Sequence, residues 1–438
     1  MKKIIVMLAL AVLAVADAPA QQAQQASGPG TYRLTLEDCL DYAMGNSYTR
    51  QSMELSVRSA EITLDQSKME RLPNLSASAS ENYSHSKDTE GSWSGSYGVS
   101  TGVTLFSGGA VNNAIKQNKL QAGQAAVRGA QYDNTLTMNV MSSFFSILGY
   151  EELLRYQEAL ISESQAQVND GAVRLDKGTI LRSDYLMLES QLASNMNSIE
   201  DTKISLKNEL INLKGLLSMD LASDLRVVNP DTTAFESMAV IPDMDYYLER
   251  ARATLPDLEL LDYGVEIAET TLKLSKASLF PTLSVSGGLS TGHSRNFQNW
   301  GTQVGDRFSQ SAGISLSIPI FTRNKTRSNI EKSKISLQQA ELDRKQGEMD
   351  IQQTLIQSFH NVESALNSYR MLTTREEAYR ETLRVYNEQY KAGQVKPVDL
   401  LQQQNNYISV MYDYVQGKYG FMLRRKMLDV YMGLEIMM

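Results

Sequence analysis

The stretch Leu72-Pro73-Asn74-Leu75-Ser76-Ala77-Ser78-Ala79-Ser80 decides the fold. Before it, residues 36–71 have helical composition, and Pro73 supplies a stop. After it, apolar and hydroxyl residues alternate with a period of two, which puts one apolar and one polar face on an extended chain. The alternation returns at Tyr97, Val99, Val103 and Leu105. A second stretch, Phe280-Pro281-Thr282-Leu283 with Val285 and Leu289, follows another helical run at 244–279. It is answered by Ile314, Leu316, Ile318 and Ile320. Gly/Ser/Asn-rich loops near 84–95 and 290–308 separate the paired runs, so each half holds one β-hairpin.

Working outward, the two halves are copies of one building block. Ala60-Glu61, Thr63-Leu64 and Ser67-Lys68 recur as Ala268-Glu269, Thr271-Leu272 and Ser275-Lys276, at an offset of 208. Phe106, Ile115, Gly178 and Asp184 recur as Phe321, Ile330, Gly393 and Asp399, at an offset of 215. The seven additional residues of the second half therefore lie between Pro281 and Phe321, inside the hairpin, where insertions are tolerated.

Each hairpin leads into a long helical segment, about 108–172 and 322–390. A short turn and a second helix follow, at about 180–217 and 398–435. No proline interrupts 74–229, 320–396 or 398–438. Ile351, Leu355, Phe359, Val362, Leu366 and Tyr369 step by three and four, an apolar seam of coiled-coil type. A helix of roughly 65 residues reaches on the order of 100 Å. The division that follows is a first repeat at 21–217 with its hairpin at about 74–106, a linker at 218–243, and a second repeat at 244–438 with its hairpin at about 282–321.

Lys2 and Lys3, the apolar run Ile4 to Ala16, and Ala18-Pro19-Ala20 read as a secretory signal over residues 1–20. The apolar run is shorter than the roughly 20 residues a spanning helix needs. The net charge is −8. Losing Lys2, Lys3 and Asp17 with the signal makes it −9 (−8 − 2 + 1), which gives no support to a nucleic-acid partner. Cys39 stands alone, so no intrachain disulfide forms. His85, His293 and His360 lack metal-ligand spacing, and a satisfied or solvated role is expected of each. No cofactor, metal or enzymatic motif emerges. Met138, Met141 and Met187 read as fillers between helices.

Four strands with one apolar face cannot sit in a bilayer as an open sheet, because the edge amides and carbonyls would lack partners there. A membrane barrel needs at least about eight strands. Several copies must therefore close one barrel, with the polar helices hanging from it in the periplasm. Tyr83 and Trp93 bracket the first loop, and Phe297, Trp300 and Phe308 occupy the second. Such placement suits an aromatic girdle at the membrane interface, although ordinary loop packing would also place aromatics there.

Taken together, the chain resembles the TolC family of outer-membrane factors. The resemblance is carried by Leu34-Thr35-Leu36-Glu37-Asp38, Leu72-Pro73-Asn74-Leu75, Leu105-Phe106-Ser107-Gly108-Gly109 and Phe280-Pro281-Thr282-Leu283. Ile318-Pro319-Ile320-Phe321 and the turns Lys177-Gly178-Thr179 and Ala392-Gly393-Gln394 complete it. It implies a mainly α fold with β: long antiparallel coiled-coil helices plus two hairpins, giving four strands to a twelve-stranded barrel in a homotrimer. It implies an exit duct in the outer membrane that meets a periplasmic adaptor and an inner-membrane pump. By position, Asp399 falls on a pore-ring aspartate, and Tyr390 and Asp184 fall on iris contacts. Gly178, Thr179, Gly393 and Gln394 fall on adaptor-facing tips. Gln402 replaces a second ring aspartate, and Val395 replaces a basic residue.

The residues themselves leave other roles open. Asp184 and Asp399 fall in first helical turns, where a carboxylate satisfies amide donors. The two glycines suit tight turns. A secreted coiled-coil filament or trimeric adhesin is the rival architecture, but it would be expected to carry its strands at one end.

Overall fold

The computed structural model describes residues 31–87, 89–229, 240–294 and 299–434. The expected signal segment at 1–20, Pro230 and Phe297 lie outside them. In chain order the first repeat contains β1 (Thr31–Leu34), α1 (Leu36–Asn46), α2 (Tyr48–Met69), β2 (Asn74–Ser86), β3 (Thr89–Ser107), α3 (Ala110–Asp176) and α4 (Arg182–Leu217). After β4 (Asp224–Val227) come α5 (Met244–Thr254), α6 (Pro256–Ala277), β5 (Thr282–His293), α7 (Trp300–Asp306), β6 (Ser309–Ser317), α8 (Lys325–Lys391) and α9 (Pro397–Tyr431).

The elements keep two registers. Helices α1 and α5 start at 36 and 244, and α2 and α6 at 48 and 256, both 208 apart. Helices α3 and α8 run 110–176 and 325–391, so both ends are 215 apart and each helix has 67 residues. At 1.5 Å per residue each is about 100 Å long. The local chemistry explains the ends. Thr35 and Asp38 form a capping box at the start of α1, with Thr35 N–H to Asp38 Oδ2 at 2.9 Å and Asp38 N–H to Thr35 Oγ1 at 3.2 Å. Pro256 and Pro397 occupy the first turns of α6 and α9, where proline's missing N–H costs nothing.

The strands form one antiparallel sheet in the order β2-β3-β5-β6. Below it the helices continue in the same order, because α2 packs on α3, α3 on α6, and α6 on α8. Toward the other end α4 pairs with α3, α9 with α8, and α9 bridges to α3. The main apolar core lies where helices change partners. There Cys39 and Leu40 of α1, Phe144 and Leu148 of α3, Leu213 and Leu217 of α4, Tyr247 of α5, Phe359 and Val362 of α8, and Phe421 and Leu428 of α9 are buried together. Burial pushes the Cys39 thiol up to about 12, so it behaves as a small apolar group. A smaller core at the far tip joins Val168, Leu188, Leu383, Tyr390, Leu400 and Leu401.

Several details differ from the sequence expectation. Residues 84–86 and 89–95 are strand, not loop: β2 runs to Ser86 and β3 restarts at Thr89, with Tyr83 paired to Trp93. Serine and glycine, which read as loop, here occupy one face of a sheet. The region 290–308 includes the end of β5 and helix α7. Strand β6 stops at Ser317, short of Ile318 and Ile320, because Pro319 cannot donate to a ladder. The helical runs 36–71 and 244–279 each divide in two, at Ser47 and at Leu255. In the linker, β4 pairs in parallel with β1, and Leu225 and Val227 enter the main core.

Candidate functional site

The pairing register sorts the sheet into two faces, since residues opposite one another share a face. One face carries Leu75, Ala77, Val99, Val103, Val285, Leu289, Ile314 and Leu316. The other carries Ser76, Ser78, Ser96, Ser100, Ser286, Ser290, Ser309, Ser311 and Ser315, with Gly98, Gly102, Gly288 and Gly313 between them. The hydroxyls of this face pair across strands: Ser76 with Ser100 at 2.9 Å, Ser80 with Ser96 at 2.8 Å and Ser290 with Ser309 at 2.7 Å. Strands β2 and β6 end the sheet, each with one edge unpaired within it. The helices continuing those edges carry exposed apolar residues every seven positions. These are Tyr48, Leu55, Ile62 and Met69 on α2, and Ile335, Leu342 and Met349 on α8. Open strand edges can accept further strands, and heptad stripes of exposed apolar residues can accept further helices.

At the hairpin end of the sheet, the apolar face turns aromatic. Tyr83 and Trp93 lie with ring centroids 5.2 Å apart, and Trp300 of α7 meets Tyr97 edge-on at 6.2 Å. The expected girdle residues Tyr83, Trp93 and Trp300 are all on this face or against it. A cluster that sequence reading missed lies beside them. Glu81, Gly95 and His293 sit in one row across β2, β3 and β5. His293 Nε2 lies 3.1 Å from both Glu81 carboxylate oxygens, and the Tyr97 hydroxyl donates to the same carboxylate. A side chain at Gly95 would collide with both Glu81 and His293, so the glycine makes the room. That glycine, inside an alternating run, was the available signal.

At the opposite end, each helical hairpin turns through a glycine. Gly178 and Gly393 adopt φ values of 70° and 73°, and nothing obstructs the space a side chain would take. Thr179 N–H bonds the Arg174 carbonyl at 2.8 Å and Gln394 N–H bonds the Gln389 carbonyl at 2.8 Å, closing both helix ends. The Thr179 hydroxyl adds a bond to the Arg174 carbonyl at 2.9 Å. Asp184 and Asp399 each stand third in their helices, α4 and α9. Asp184 is half-buried and Asp399 exposed. Gln402 donates to Asn406 at 3.2 Å.

Tyr390 is 2% exposed, and the Arg174 guanidinium lies over its ring at 4.8 Å. Burial raises the pKa of its hydroxyl, the cation of Arg174 opposes this, and Asp170 and Asp184 add to it. Asp184 is therefore close enough to be felt. The Tyr390 hydroxyl nevertheless has no hydrogen-bond partner among the described residues. Among the described residues Tyr390 and Asp184 share no hydrogen bond.

Among the described residues no group of three His, Cys, Asp or Glu side chains could hold a metal ion, and no helix is long and apolar enough to cross a membrane.

Comparison with known proteins agrees with this geometry. The family model described as outer membrane efflux protein matches residues 40–218 and 247–433. The outer membrane efflux protein BepC of Brucella suis is 23% identical over 395 residues, spanning 90% of this chain and 84% of that protein. The fold superposes on the outer membrane channel CmeC of Campylobacter jejuni with a TM-score of 0.73 at 16% identity, covering 91% of this chain and 85% of CmeC. The open state of the outer membrane channel MtrE of Neisseria gonorrhoeae superposes equally, with a TM-score of 0.73 at 16% identity, covering 91% of this chain and 89% of MtrE.

Proposed function

This chain belongs to the outer membrane efflux protein family, and from that premise we propose that it is the exit duct of a multi-component exporter. It is an outer-membrane channel protein, not an enzyme, with its helical tunnel in the periplasm. Three copies close a barrel of twelve strands, each giving β2, β3, β5 and β6, and residues 1–20 direct export. The tunnel meets a periplasmic adaptor at the turns of Gly178, Thr179, Gly393 and Gln394, and through it an inner-membrane pump. Asp399 rings the aperture, while Tyr390 and Asp184 lie at the iris. Tyr83, Trp93 and Trp300 ride at the outer interface.

The observation that carries this reading is the four-stranded sheet. One face is apolar, the other is serine and glycine, and both edges are open. In lipid such a sheet must close, and four strands cannot close alone. Joining β2 of one copy to β6 of the next satisfies the edge groups, puts the apolar face toward lipid and leaves the hydroxyl face around water. The same step brings the heptad stripes of α2 and α8 together as a coiled coil. Purified protein should cross-link as a trimer and conduct ions in planar bilayers. A cross-linked trimer without conductance would support the filament reading instead.

A further inference from the structure

The helical turns nearest the sheet carry a charge opposite to that of the whole chain. They are 62–72 at the end of α2, 110–120 of α3, 270–280 at the end of α6 and 322–334 at the start of α8. These stretches hold eleven Lys and Arg against three Asp and Glu, in a chain whose net charge is −8. The excess is heaviest where β6 passes into α8. Residues 307–330 contain no acid, and Arg323, Lys325 and Arg327 are all exposed. Glu331, the first acid beyond them, pairs with Lys334 at 2.8 Å and meets Arg327 through its charge alone.

On the sheet side of these cations the surface is apolar. Strands β2 and β5 begin at this edge, and β3 and β6 end at it. Ile320 and Phe321, just past β6, are 94% and 83% exposed, the barest large apolar residues of the described chain. Leu72, Leu105, Phe106, Leu279 and Phe280 stand half exposed at the other three strand ends. Apolar surface that gives way to cations within a few residues is the profile of a boundary between acyl chains and phosphate headgroups. Folding does not call for the cations. Arg323 holds a left-handed φ of 49°, a strain that glycine avoids, and its equivalent in the first repeat is Gly108. The equivalents of Lys325 and Arg327 are Ala110 (325 − 215) and Asn112 (327 − 215), both uncharged.

We propose that the corner between β6 and α8 is a docking surface for anionic phospholipid of the periplasmic leaflet. Arg323, Lys325 and Arg327 take the headgroup phosphates, and Ile320 and Phe321 lie among the acyl chains. This rests on the channel reading above, which puts the sheet in the bilayer. The surface also fixes how deep the sheet sits. Sinking further would carry cations into hydrocarbon, and rising would bare Ile320 and Phe321 to water. Because the cations are exposed, their attraction for anionic lipid weakens with salt.

Full-length protein in vesicles of phosphatidylcholine and phosphatidylglycerol tests it, with spin-labelled lipid of either kind reporting which one contacts the protein. The parent should prefer phosphatidylglycerol about fivefold at low salt and much less at about 0.5 M salt. Arg323→Gln, Lys325→Gln and Arg327→Gln together should reduce the preference to about twofold or less. The charge-keeping set Arg323→Lys, Lys325→Arg and Arg327→Lys should retain it. So should Lys203→Gln, Lys207→Gln and Arg370→Gln together, which remove equal charge far along the helices. A parent without preference, a preference kept by the first set, or one lost in either of the others would each overturn the docking surface. Inorganic phosphate that abolishes the preference, at an ionic strength where chloride does not, would overturn it too and leave a site for free anions. A parent that does not insert into the vesicles would instead overturn the channel reading itself.

Discussion

The first and second repeats agree in their helices and disagree in their hairpins. Each pair α1/α5, α2/α6 and α3/α8 matches in length to the residue. By contrast, two residues connect β2 to β3, whereas the β5–β6 connection accommodates helix α7. Helix length sets where a tunnel begins and ends, and equivalent helices of one wall must agree. A connection beyond the wall is under no such constraint. The same contrast appears on a smaller scale where the sheet enters the long helices. Gly108 and Gly109 have φ values of 64° and 83°. Their equivalents, Arg323 and Asn324, take the same left-handed conformation at 49° and 64°. The backbone shape is kept although the residue suited to it is not.

The largest effects should come from testing the agreement itself. Phe144 and Phe359 are equivalent (144 + 215) and both are buried in the main core. Phe144 meets Phe145 edge-on at 6.0 Å, and Phe359 lies 5.8 Å from Tyr247. Replacing either by alanine should cost about 3–5 kcal/mol, read from denaturant unfolding in detergent. Losses differing by more than about 2 kcal/mol would break the equivalence of the two repeats within this core.

An intermediate effect should separate the two sheet-to-helix corners. A side chain at Gly108 would place its Cβ 2.6 Å from the Phe280 Cβ and 2.7 Å from the Ala277 carbonyl oxygen. Gly108→Arg therefore meets both left-handed strain and a collision, and should cost about 2–3 kcal/mol. Arg323→Gly relieves strain alone, and should gain about 0.5–1 kcal/mol. If both exchanges proved neutral in thermal unfolding, the left-handed corners would not be strained as described.

What the sequence made legible follows the same division. The stops at Pro73 and Pro281 and the turns at Gly178 and Gly393 carry local signals because their chemistry is local. Thr35 and Pro256 mark helix starts just as locally, yet the sequence reading runs 244–279 together across Pro256. The length of β2 and β3 was obscured because Ser92, Ser94, Gly95 and Ser96 have a loop's composition. Only the pairing register shows them to be wall. Helix α7 depends on packing against β5, including the Thr291 hydroxyl bonded to the Val304 carbonyl, and its seven residues announce nothing alone. At the tip, the first-turn placement of Asp184 and Asp399 was readable. The buried amides Gln404, Gln167 and Asn387, hydrogen-bonded in a row across α9, α3 and α8, were not, since an amide on a polar helix looks the same whether it faces water or another amide.

The smallest effect in stability carries the sharpest distinction in function. Asp184 and Asp399 occupy the same third position of equivalent helices, so each interacts favourably with the positive end of its helix. Neutralising either to asparagine should therefore cost a similar 0.3–1 kcal/mol, about what a first-turn carboxylate contributes. Their surroundings differ: Asp184 is half-buried near Tyr390, while Asp399 is exposed. Three exposed carboxylates around a narrow axis would concentrate cations, and a half-buried set behind the wall would do so much less. Asp399→Asn should weaken block of single-channel current by divalent cations about tenfold, whereas Asp184→Asn should leave block within about twofold of the parent. Equal block in both variants would remove Asp399 from the aperture, and loss of block only in Asp184→Asn would exchange their roles.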